Sequence, residues 1–226
     1  MNNERGIIYM KSFNKFYGYI FLLITVTLLQ SCTPQLVNLS IAKDRVIEYH
    51  SSGQYNKDLN KVVKNAEDQF NKLTIKKNDA VVFDIDETTL SNYEFDKAGG
   101  FGYVRSLWGK WVESAKLPAI PQVKKLYNYL VKRNVKIIFL TGRRDYHYNA
   151  TLKNLKNVGY VSFDTLITRT PSEFKMTALD YKSRVRIELT HKGYHIIGDV
   201  GDQWSDLRGP YHGIQVKIPD YQYLIK

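Results

Sequence analysis

The sequence predicts an α/β fold, in which a Rossmann-like parallel sheet is covered by helices on both faces. Short, continuous apolar stretches alternate along the chain with amphipathic stretches of helical period, as where crossover helices join parallel strands. Polar residues follow three of the apolar stretches directly, at the sheet edge where such folds bind ligands. The 226 residues, of which 43% are hydrophobic, suffice for one such domain with a sizeable core.

Residues 1–31 predict an export signal. A basic start precedes an apolar stretch over 20–29, which is shorter than a membrane-spanning helix. The segment LQSC at 29–32 resembles the lipobox of bacterial lipoproteins, which implies a lipid on Cys32 and anchoring in a membrane, at the periplasm or outer membrane. The alternative is an ordinary cleaved signal of a secreted protein. Translation from Met1 or from Met10 would give the same signal.

Residues 32–53 predict a linker between the signal and the main domain. The stretch 35–50 is polar with modest helical periodicity, and Ser51-Ser52-Gly53 marks a break after it. We therefore expect a short helix here, before a main domain that we assign to 54–226.

The main domain begins with a helix and a strand. Residues 55–73 place apolar side chains at helical spacing, and 80–85 (AVVFDI) predict a buried strand. The same alternation continues to the end of the domain. Further helices are predicted over 121–133, 146–158 and 176–192, and further strands over 135–140, 164–168, 195–200 and 214–218.

One stretch, 92–117, interrupts this alternation. It is too long for a simple connection and contains Gly99-Gly100 and several aromatic residues. We predict a small helical cap inserted over the edge of the sheet, with Trp108 and Trp111 on a short helix.

Acidic residues follow two of the predicted strands. Asp84 and Asp86 lie at the end of the first strand. Asp202 and Asp206 follow the strand over 195–200. Four carboxylates would then converge at one edge of the sheet, and this density of negative charge is unfavourable without a cation. Carboxylates without cysteine or histidine are the ligands of a hard ion, most simply Mg²⁺.

Several different kinds of site are excluded. Asp84, Asp86 and Thr88 alternate as in a calcium-binding EF-hand loop, but Thr89 and Phe95 stand where that loop needs glycine and glutamate. The Cys-x5-Arg, Arg-His-Gly and P-loop patterns are missing from the sequence. The net charge of +11 is spread along the chain without a dense basic tract, so we predict an acidic small substrate or anionic lipid as partner and no nucleic acid.

Four segments in order, DIDETTL, IIFLTGRRD, DYKSRVRIEL and GDQWSDL, resemble the haloacid dehalogenase (HAD) superfamily and specifically its IIIB acid phosphatases. That group includes plant vegetative storage proteins and related bacterial phosphatases. The resemblance runs from about Gln54 to the end of the sequence and includes LWGKWVESAKLPAIP in the predicted cap. It implies a Mg²⁺-dependent acid phosphatase that hydrolyses phosphate monoesters through an aspartyl-phosphate.

The resemblance also implies roles for the four aspartates. Asp84 would be the nucleophile. Asp86 would be the general acid and then the general base, with its backbone carbonyl on the metal. Asp84 and Asp202 would ligate Mg²⁺ directly, and Asp206 directly or through water.

Further roles follow for residues after the second predicted strand and on a helix. Thr141 and the backbone N–H of Gly142 would hold phosphate oxygens. Lys182 would balance the acidic cluster and bind the phosphoryl group. Arg143 and Arg144 would either bind substrate phosphate or be solvated, and the sequence does not decide between these two roles.

The two tryptophans of the cap and one further aspartate each have two interpretations. Trp108 and Trp111 would stack on an aromatic leaving group, such as that of a nucleotide monophosphate, or form the core of the cap. Asp199 would be structural or support the metal site.

The activity also has alternatives. The same aspartyl-phosphate intermediate would serve a phosphotransferase, which passes the phosphoryl group to an acceptor alcohol. A non-catalytic storage or surface binding protein is a hypothesis from a different class.

Overall fold

The computed structural model describes residues 36–225. The predicted signal peptide, Cys32 with its predicted lipid and the choice between Met1 and Met10 lie outside these residues. From Ala42 onward the described chain forms one compact unit. Within the described residues, no helix is both long enough and apolar enough to cross a membrane.

The core of the protein is one parallel sheet of five strands. The strands are β1 Asp79–Phe83, β2 Lys136–Arg144, β3 Thr165–Arg169, β4 His195–Gly201 and β5 Ile214–Lys217. Their order across the sheet is β3-β2-β1-β4-β5. Because β1 lies between β2 and β4, the chain winds to one side of β1 and then to the other. The carboxyl end of β1 is therefore the switch point at which open α/β sheets bind ligands.

Helices surround this sheet and cap one edge of it. They are α1 Leu39–Ser51, α2 Gln54–Asn71, α3 Tyr93–Ala98, α4 Arg105–Glu113, α5 Pro121–Lys132, α6 Tyr148–Asn157, α7 Ala178–His191 and α8 Trp204–Leu207. Local sequence explains several of their starts. Pro121 occupies the first position of α5, where its missing N–H costs nothing. Thr177 caps α7, since its side-chain oxygen accepts from the amide of Asp180 at 3.1 Å.

The two faces of the sheet are both buried under helices. Val81 and Phe83 of β1 belong to the core formed with α2 and α5, whereas Ala80 and Val82 pack with α7 on the other face. A strand buried on both faces has no polar side, which explains the continuous apolar run that predicted it. The predicted α/β fold is confirmed.

The second strand differs from its prediction. It was expected to end at Leu140, but β2 continues to Arg144, with a break in its register to β3 after Leu140. The residues TGRR are polar in sequence, yet Thr141 and Arg143 are both buried, so the backbone can stay extended and paired while its side chains alternate. The predicted phosphate-binding residues thus lie in a strand rather than in a loop.

The inserted stretch contains two short helices, α3 and α4, and Trp108 and Trp111 both lie on α4. An aromatic stack ties α3 to the start of the main domain. His50 at the end of α1 lies between Tyr55 of α2, with ring centroids 4.2 Å apart, and Tyr93 of α3, at 3.8 Å. The cap is therefore also held by contacts with α1.

Candidate active site

The turn after β1 carries the first acidic motif to the edge of the sheet. The amide of Asp84 donates to the carbonyl of Val200 on β4 at 2.9 Å, so Asp84 prolongs the strand. The amide of Thr89 then donates to the carbonyl of Ile85, also at 2.9 Å, and closes a turn. Glu87 adopts the left-handed backbone in this turn, with φ of 52°. A non-glycine residue in this region is strained, and such strain is found most often at functional sites.

Three buried carboxylates converge beside this turn. Oxygen atoms of Asp84, Asp202 and Asp206 lie within 4.8 Å of one another. The ammonium of Lys182, on α7, donates to Asp84 at 2.5 Å and also to Asp206. Thr88 donates to the other end of the cluster, at Asp202, over 2.9 Å. The structure therefore brings together three of the four predicted metal-binding aspartates and the predicted lysine.

The cluster holds more negative charge than its one lysine balances. Burial raises the pKa of Asp84, against the opposing effect of Lys182. Burial also raises the pKa of Asp202, and there Asp206 and Asp84 add to the effect. Burial disfavours the charge of Lys182, but Asp206 and Asp84 favour it more, so its pKa is raised.

These properties fit a divalent cation. A cation among three carboxylate oxygens would stabilise their ionised forms and relieve their mutual repulsion. Oxygen donors alone, without sulfur or imidazole, are what Mg²⁺ and other hard ions take. The donor set by itself does not select among the hard ions.

The fourth aspartate, Asp86, is held by Arg143. Nε and Nη2 of the guanidinium donate to the two carboxylate oxygens at 3.0 Å and 2.7 Å. Asn92 donates to the same carboxylate at 2.9 Å. Burial acts to raise the pKa of Asp86, but Arg143 and Asn92 outweigh it, so the pKa is lowered.

The side chain of Arg143 is itself buried. Its Nη1 donates to Thr151 at 3.0 Å, so all three nitrogens have partners. The guanidinium lines the cavity over the acidic cluster, but its hydrogen bonds are to Asp86 and Thr151. The sequence left open whether it binds substrate phosphate or is solvated. This geometry favours a positioning role for Arg143.

The two predicted phosphate-binding residues are exposed to different extents. Thr141 is fully buried, and its hydroxyl accepts from the amide of Arg143 at 3.1 Å. Gly142 is exposed and lines the cavity that also contains Asp84 and Lys182. The backbone of Gly142 is therefore the more direct candidate for contact with a phosphate.

A cavity of about 580 Å³ lies over the acidic cluster, a size suited to a small organic phosphate. Polar groups line one part of it. Aromatic and apolar side chains line the rest: Phe101, Tyr103, Trp108, Met176, Tyr223 and Ile225. Of the two predicted tryptophans, only Trp108 lines the cavity. Trp111 instead donates to Asn92 at 3.0 Å and stacks on Phe95, with ring centroids 5.5 Å apart.

The chain after β5 returns to this site, which was not predicted from the sequence. Gln203 donates to Asp202 at 2.7 Å and to Asp220 at 3.1 Å. Gln222 donates to the buried Glu87 at 2.5 Å. The segment after β5 carries no catalytic pattern, so nothing in the sequence marks it. Gln203 could be seen in the sequence as a polar residue between Asp202 and Asp206, but its partner Asp220 could not be predicted.

Asp199, whose role the sequence left undecided, lies inside β4 and away from the cavity. Its carboxylate accepts from the amide of Gly213 at 3.0 Å and lies 3.6 Å from the guanidinium of Arg186. Burial raises its pKa to about 6. These contacts favour a structural role.

Comparisons with known proteins give a consistent result. The family described as HAD superfamily, subfamily IIIB (acid phosphatase), matches residues 29–226. Stem 28 kDa glycoprotein from Glycine max is 37% identical over 79% of this chain and 73% of its own length. Acid phosphatase 1 from Solanum lycopersicum is 38% identical over 65% of this chain and 59% of its own length.

A solved structure has the same fold. It is a class C acid phosphatase from Bacillus anthracis with tungstate bound, and it superposes with a TM-score of 0.66 at 21% sequence identity. The match covers 82% of this chain and 85% of the bacterial one. At this identity the likeness supports the fold and leaves the roles of residues to the geometry above.

Proposed function

The chain belongs to subfamily IIIB of the HAD superfamily, the acid phosphatases, and is thus a phosphomonoesterase; on this premise, we propose that it acts through an aspartyl-phosphate on Asp84, with Mg²⁺ as cofactor. One observation carries this proposal. Asp84, Asp202 and Asp206 meet at a cavity that Asp86 and Gly142 also line, and Lys182 bonds the first and the third of them. Phosphoryl transfer depends mostly on such positioning of charge around the phosphate.

In the first step, Asp84 attacks the phosphorus atom of the substrate. A bond forms between a carboxylate oxygen of Asp84 and phosphorus, and the bond from phosphorus to the leaving oxygen breaks. Asp86 gives its proton to that oxygen, so an alcohol departs. Lys182 and the Gly142 amide hold the charge that develops on the phosphoryl oxygens.

In the second step, water hydrolyses the aspartyl-phosphate. Asp86, now ionised, takes a proton from the water as its oxygen bonds to phosphorus. The bond between phosphorus and Asp84 then breaks, inorganic phosphate leaves, and both carboxyl groups return to their starting forms. Asp84, Asp202 and Asp206, with the Asp86 carbonyl, would hold Mg²⁺, which supplies positive charge to the phosphoryl group and to the carboxylates.

Removing divalent cations tests the metal part of this proposal. We expect EDTA to lower turnover of p-nitrophenyl phosphate by about 10³-fold, since a metal Lewis acid supplies several kcal/mol of transition-state stabilisation. Added Mg²⁺ should restore the activity and raise the melting temperature, because it binds only the folded site. Asp202→Asn should require more Mg²⁺ for the same activity, whereas Asp164→Asn, at the start of β3, should not. Full activity of the wild type in EDTA would contradict the proposal.

The contact between Arg143 and Asp86 leads to a prediction about pH. The first step needs Asp86 protonated, and Arg143 lowers the pKa of Asp86, which confines the protonated form to acid pH. In Arg143→Gln the burial of Asp86 would remain and its pKa would rise. We therefore expect the alkaline limb of the kcat–pH profile to move to higher pH by about one unit or more, together with a lower kcat.

Arg143→Lys is the matched control for that experiment. It keeps the positive charge near Asp86 but loses the bidentate hydrogen bonding. We therefore expect a pH profile close to that of the wild type, with kcat still lowered. If Arg143→Gln lowered kcat at an unchanged pH profile, Arg143 would act on the fold alone.

The substrate is proposed from the lining of the cavity. The aromatic lining suits a phosphomonoester with an aromatic or apolar leaving group, and a nucleotide monophosphate is an example of one. If glycerol present during turnover received the phosphoryl group, the protein would be a phosphotransferase that uses the same intermediate. A non-catalytic binding or storage role is disfavoured because an unreactive protein gains nothing from keeping Asp84 and Asp86 together in a buried site.

Export is also part of the proposal. It is supported by the predicted signal over 1–31 and by the fact that the soybean relative is called a glycoprotein. The lipid on Cys32 rests on the lipobox resemblance alone. Metabolic labelling with a fatty acid, in the wild type and in Cys32→Ser, would test it.

A further inference from the structure

A second cavity, of about 330 Å³, lies beside the first and shares several residues with it, among them Trp108, Gly142 and Arg169. It is strongly basic. Arg105 of the cap, Arg143 and Arg144 of β2 and Arg169 of β3 line it, and none of its lining residues is acidic. A positive cavity next to a phosphate site attracts anions.

Two of these arginines are placed side by side by the sheet. Arg144 and Arg169 are register partners across β2 and β3. Each guanidinium lies over an aromatic ring, Arg144 at 4.3 Å from the centroid of Phe174 and Arg169 at 4.6 Å from that of Tyr181. The rings restrict the motion of the two side chains and leave their charges uncompensated.

Neither arginine has an anionic partner in the described part of the chain. Over residues 36–225, no carboxylate lies within the 4.0 Å that defines an ion pair from Arg144 or Arg169. This contrasts with Arg143 and Arg184, which are both paired with carboxylates. Two positive charges side by side repel each other. Because Arg144 and Arg169 lack a carboxylate partner among the described residues, we infer that an anionic ligand balances their charge.

One nitrogen of this pair is also without a hydrogen-bond partner among the described residues. Nε of Arg169 is buried and unbonded. It lies 4.0 Å from the position that a Cβ atom on Gly142 would take, and Gly142 lines both cavities. Each of the other two nitrogens of Arg169 donates one hydrogen bond, to the carbonyl of Met176 or of Thr177. An oxygen atom of a ligand in the second cavity, which Arg169 and Gly142 both line, would satisfy the remaining donor.

We propose that Arg144 and Arg169 form a second anion site, which binds a second phosphate group on the alcohol part of the substrate. This proposal rests on the proposed function, because it assigns a substrate class to the same enzyme. Arg143 also lines this cavity, but we leave it out of the site because its charge is paired with Asp86. Arg105 adds positive charge from the cap. The preferred substrates are therefore bisphosphates, of which one group is hydrolysed while the other is held.

The spacing of Gly142 and Arg144 along β2 gives the scale of the distance between the two phosphates. Gly142 and Arg144 are two residues apart on β2, which is about 6.5 Å along an extended strand. A spacer of about three to six atoms between the two ester oxygens would bridge this distance. Bisphosphates with shorter spacers should gain nothing from the second site.

A series of alkanediol bisphosphates tests the proposal. The compounds are the α,ω-bisphosphates of ethane- to hexanediol, each compared with the ω-hydroxyalkyl monophosphate of the same length, by phosphate release in Mg²⁺. After division by two for the two equivalent ends, we expect kcat/KM of the best bisphosphate to exceed that of its monophosphate by about 10- to 100-fold. The advantage should shrink at high salt.

Substitutions of the two arginines test whether they cause the higher kcat/KM of the bisphosphates. Arg144→Gln and Arg169→Gln should each lower the bisphosphate-to-monophosphate ratio by at least about fivefold. Arg208→Gln is the matched control: Arg208 also lies over an aromatic ring, at 4.7 Å from Trp204, but outside both cavities, so the ratio should not change. If Arg169→Gln fails to fold, Arg144→Gln alone carries the test.

The outcomes separate the two proposals. A ratio near one at every spacer length, with good turnover of the monophosphates, would overturn the second anion site and leave the phosphatase standing. An equal ratio in wild type and Arg144→Gln would also overturn it. Absence of turnover for every compound would contradict the proposed function itself.

Discussion

Asp84→Asn is expected to lower kcat for phosphomonoesters by about 10⁴-fold or more, because it removes the nucleophile of the proposed reaction. Asparagine has the same shape as aspartate, so the contacts around it can be kept. Asp206 remains as a partner for Lys182. Asp84 is also a buried carboxylate whose pKa is raised, so loss of its charge relieves repulsion in the cluster. We therefore expect an inactive protein whose free energy of unfolding in EDTA is close to that of the wild type.

The measurement combines turnover with trapping. Acid quenching of the wild type during turnover of a ³²P-labelled monoester should leave label on the protein, and hydroxylamine should remove it, as for an acyl phosphate. Asp84→Asn should carry no such label. Asp164→Asn is a matched control, since Asp164 is a partly exposed aspartate that bonds Lys136 and the amide of Ile137. Turnover by Asp84→Asn within tenfold of the wild type would exclude Asp84 as nucleophile.

Lys182→Met is expected to have the largest effect on stability. Lys182 is 5% exposed, and in the described residues it is the only cation bonded to Asp84 and Asp206. Removal of one partner from a buried ion pair leaves uncompensated charge and typically costs about 3–5 kcal/mol. We expect a loss of this size in the free energy of unfolding in EDTA, and a loss of kcat of about 10²-fold or more in Mg²⁺.

Urea unfolding in EDTA and in saturating Mg²⁺ measures the first effect. Mg²⁺ should recover part of the lost stability, because it supplies positive charge to the same carboxylates. Lys132→Met provides the comparison. Lys132 is an exposed lysine at the end of α5 and should change stability by no more than about 0.5 kcal/mol. An equal effect of both substitutions would show that the contacts of Lys182 are not important for stability.

The fold was predictable because its signals are local. A strand buried on both faces, such as β1, needs an unbroken run of apolar residues, and an amphipathic helix such as α2 repeats its apolar side chains every three or four residues. In a parallel sheet the carboxyl ends of the strands lie at one edge, so residues that follow different strands are expected to lie close together. Asp84, Asp202 and Asp206 were therefore placed together from sequence.

Side-chain partners were not predictable in the same way. Arg143 and Arg144 are adjacent in sequence and chemically identical, but alternation along β2 directs the first to Asp86 and the second to the basic cavity. That β2 continues through these residues was not visible, because polar residues end the apolar run. Trp108 and Trp111 lie on the same side of α4 but one turn apart along its axis, so they contact different neighbours, and the sequence does not show which one faces the cavity.

The residues after β5 were missed because their contacts with the site depend on the whole fold. Gln222 reaches Glu87 across 135 positions of sequence. No local sequence pattern identifies a partner at that separation. The contact depends on the order of the strands, in which only β4 lies between β1 and β5.

The central position of β1 has a consequence for how the protein acquires its activity. The contacts that build the site join Asp84 to Lys182 and Thr88 to Asp202, over 98 and 114 positions. Closing loops of this length is slow, and its cost in chain entropy is offset only when β2 and β4 have both paired with β1. During refolding from urea, phosphatase activity should therefore return after helical structure does, and it can serve as a reporter for completion of the sheet.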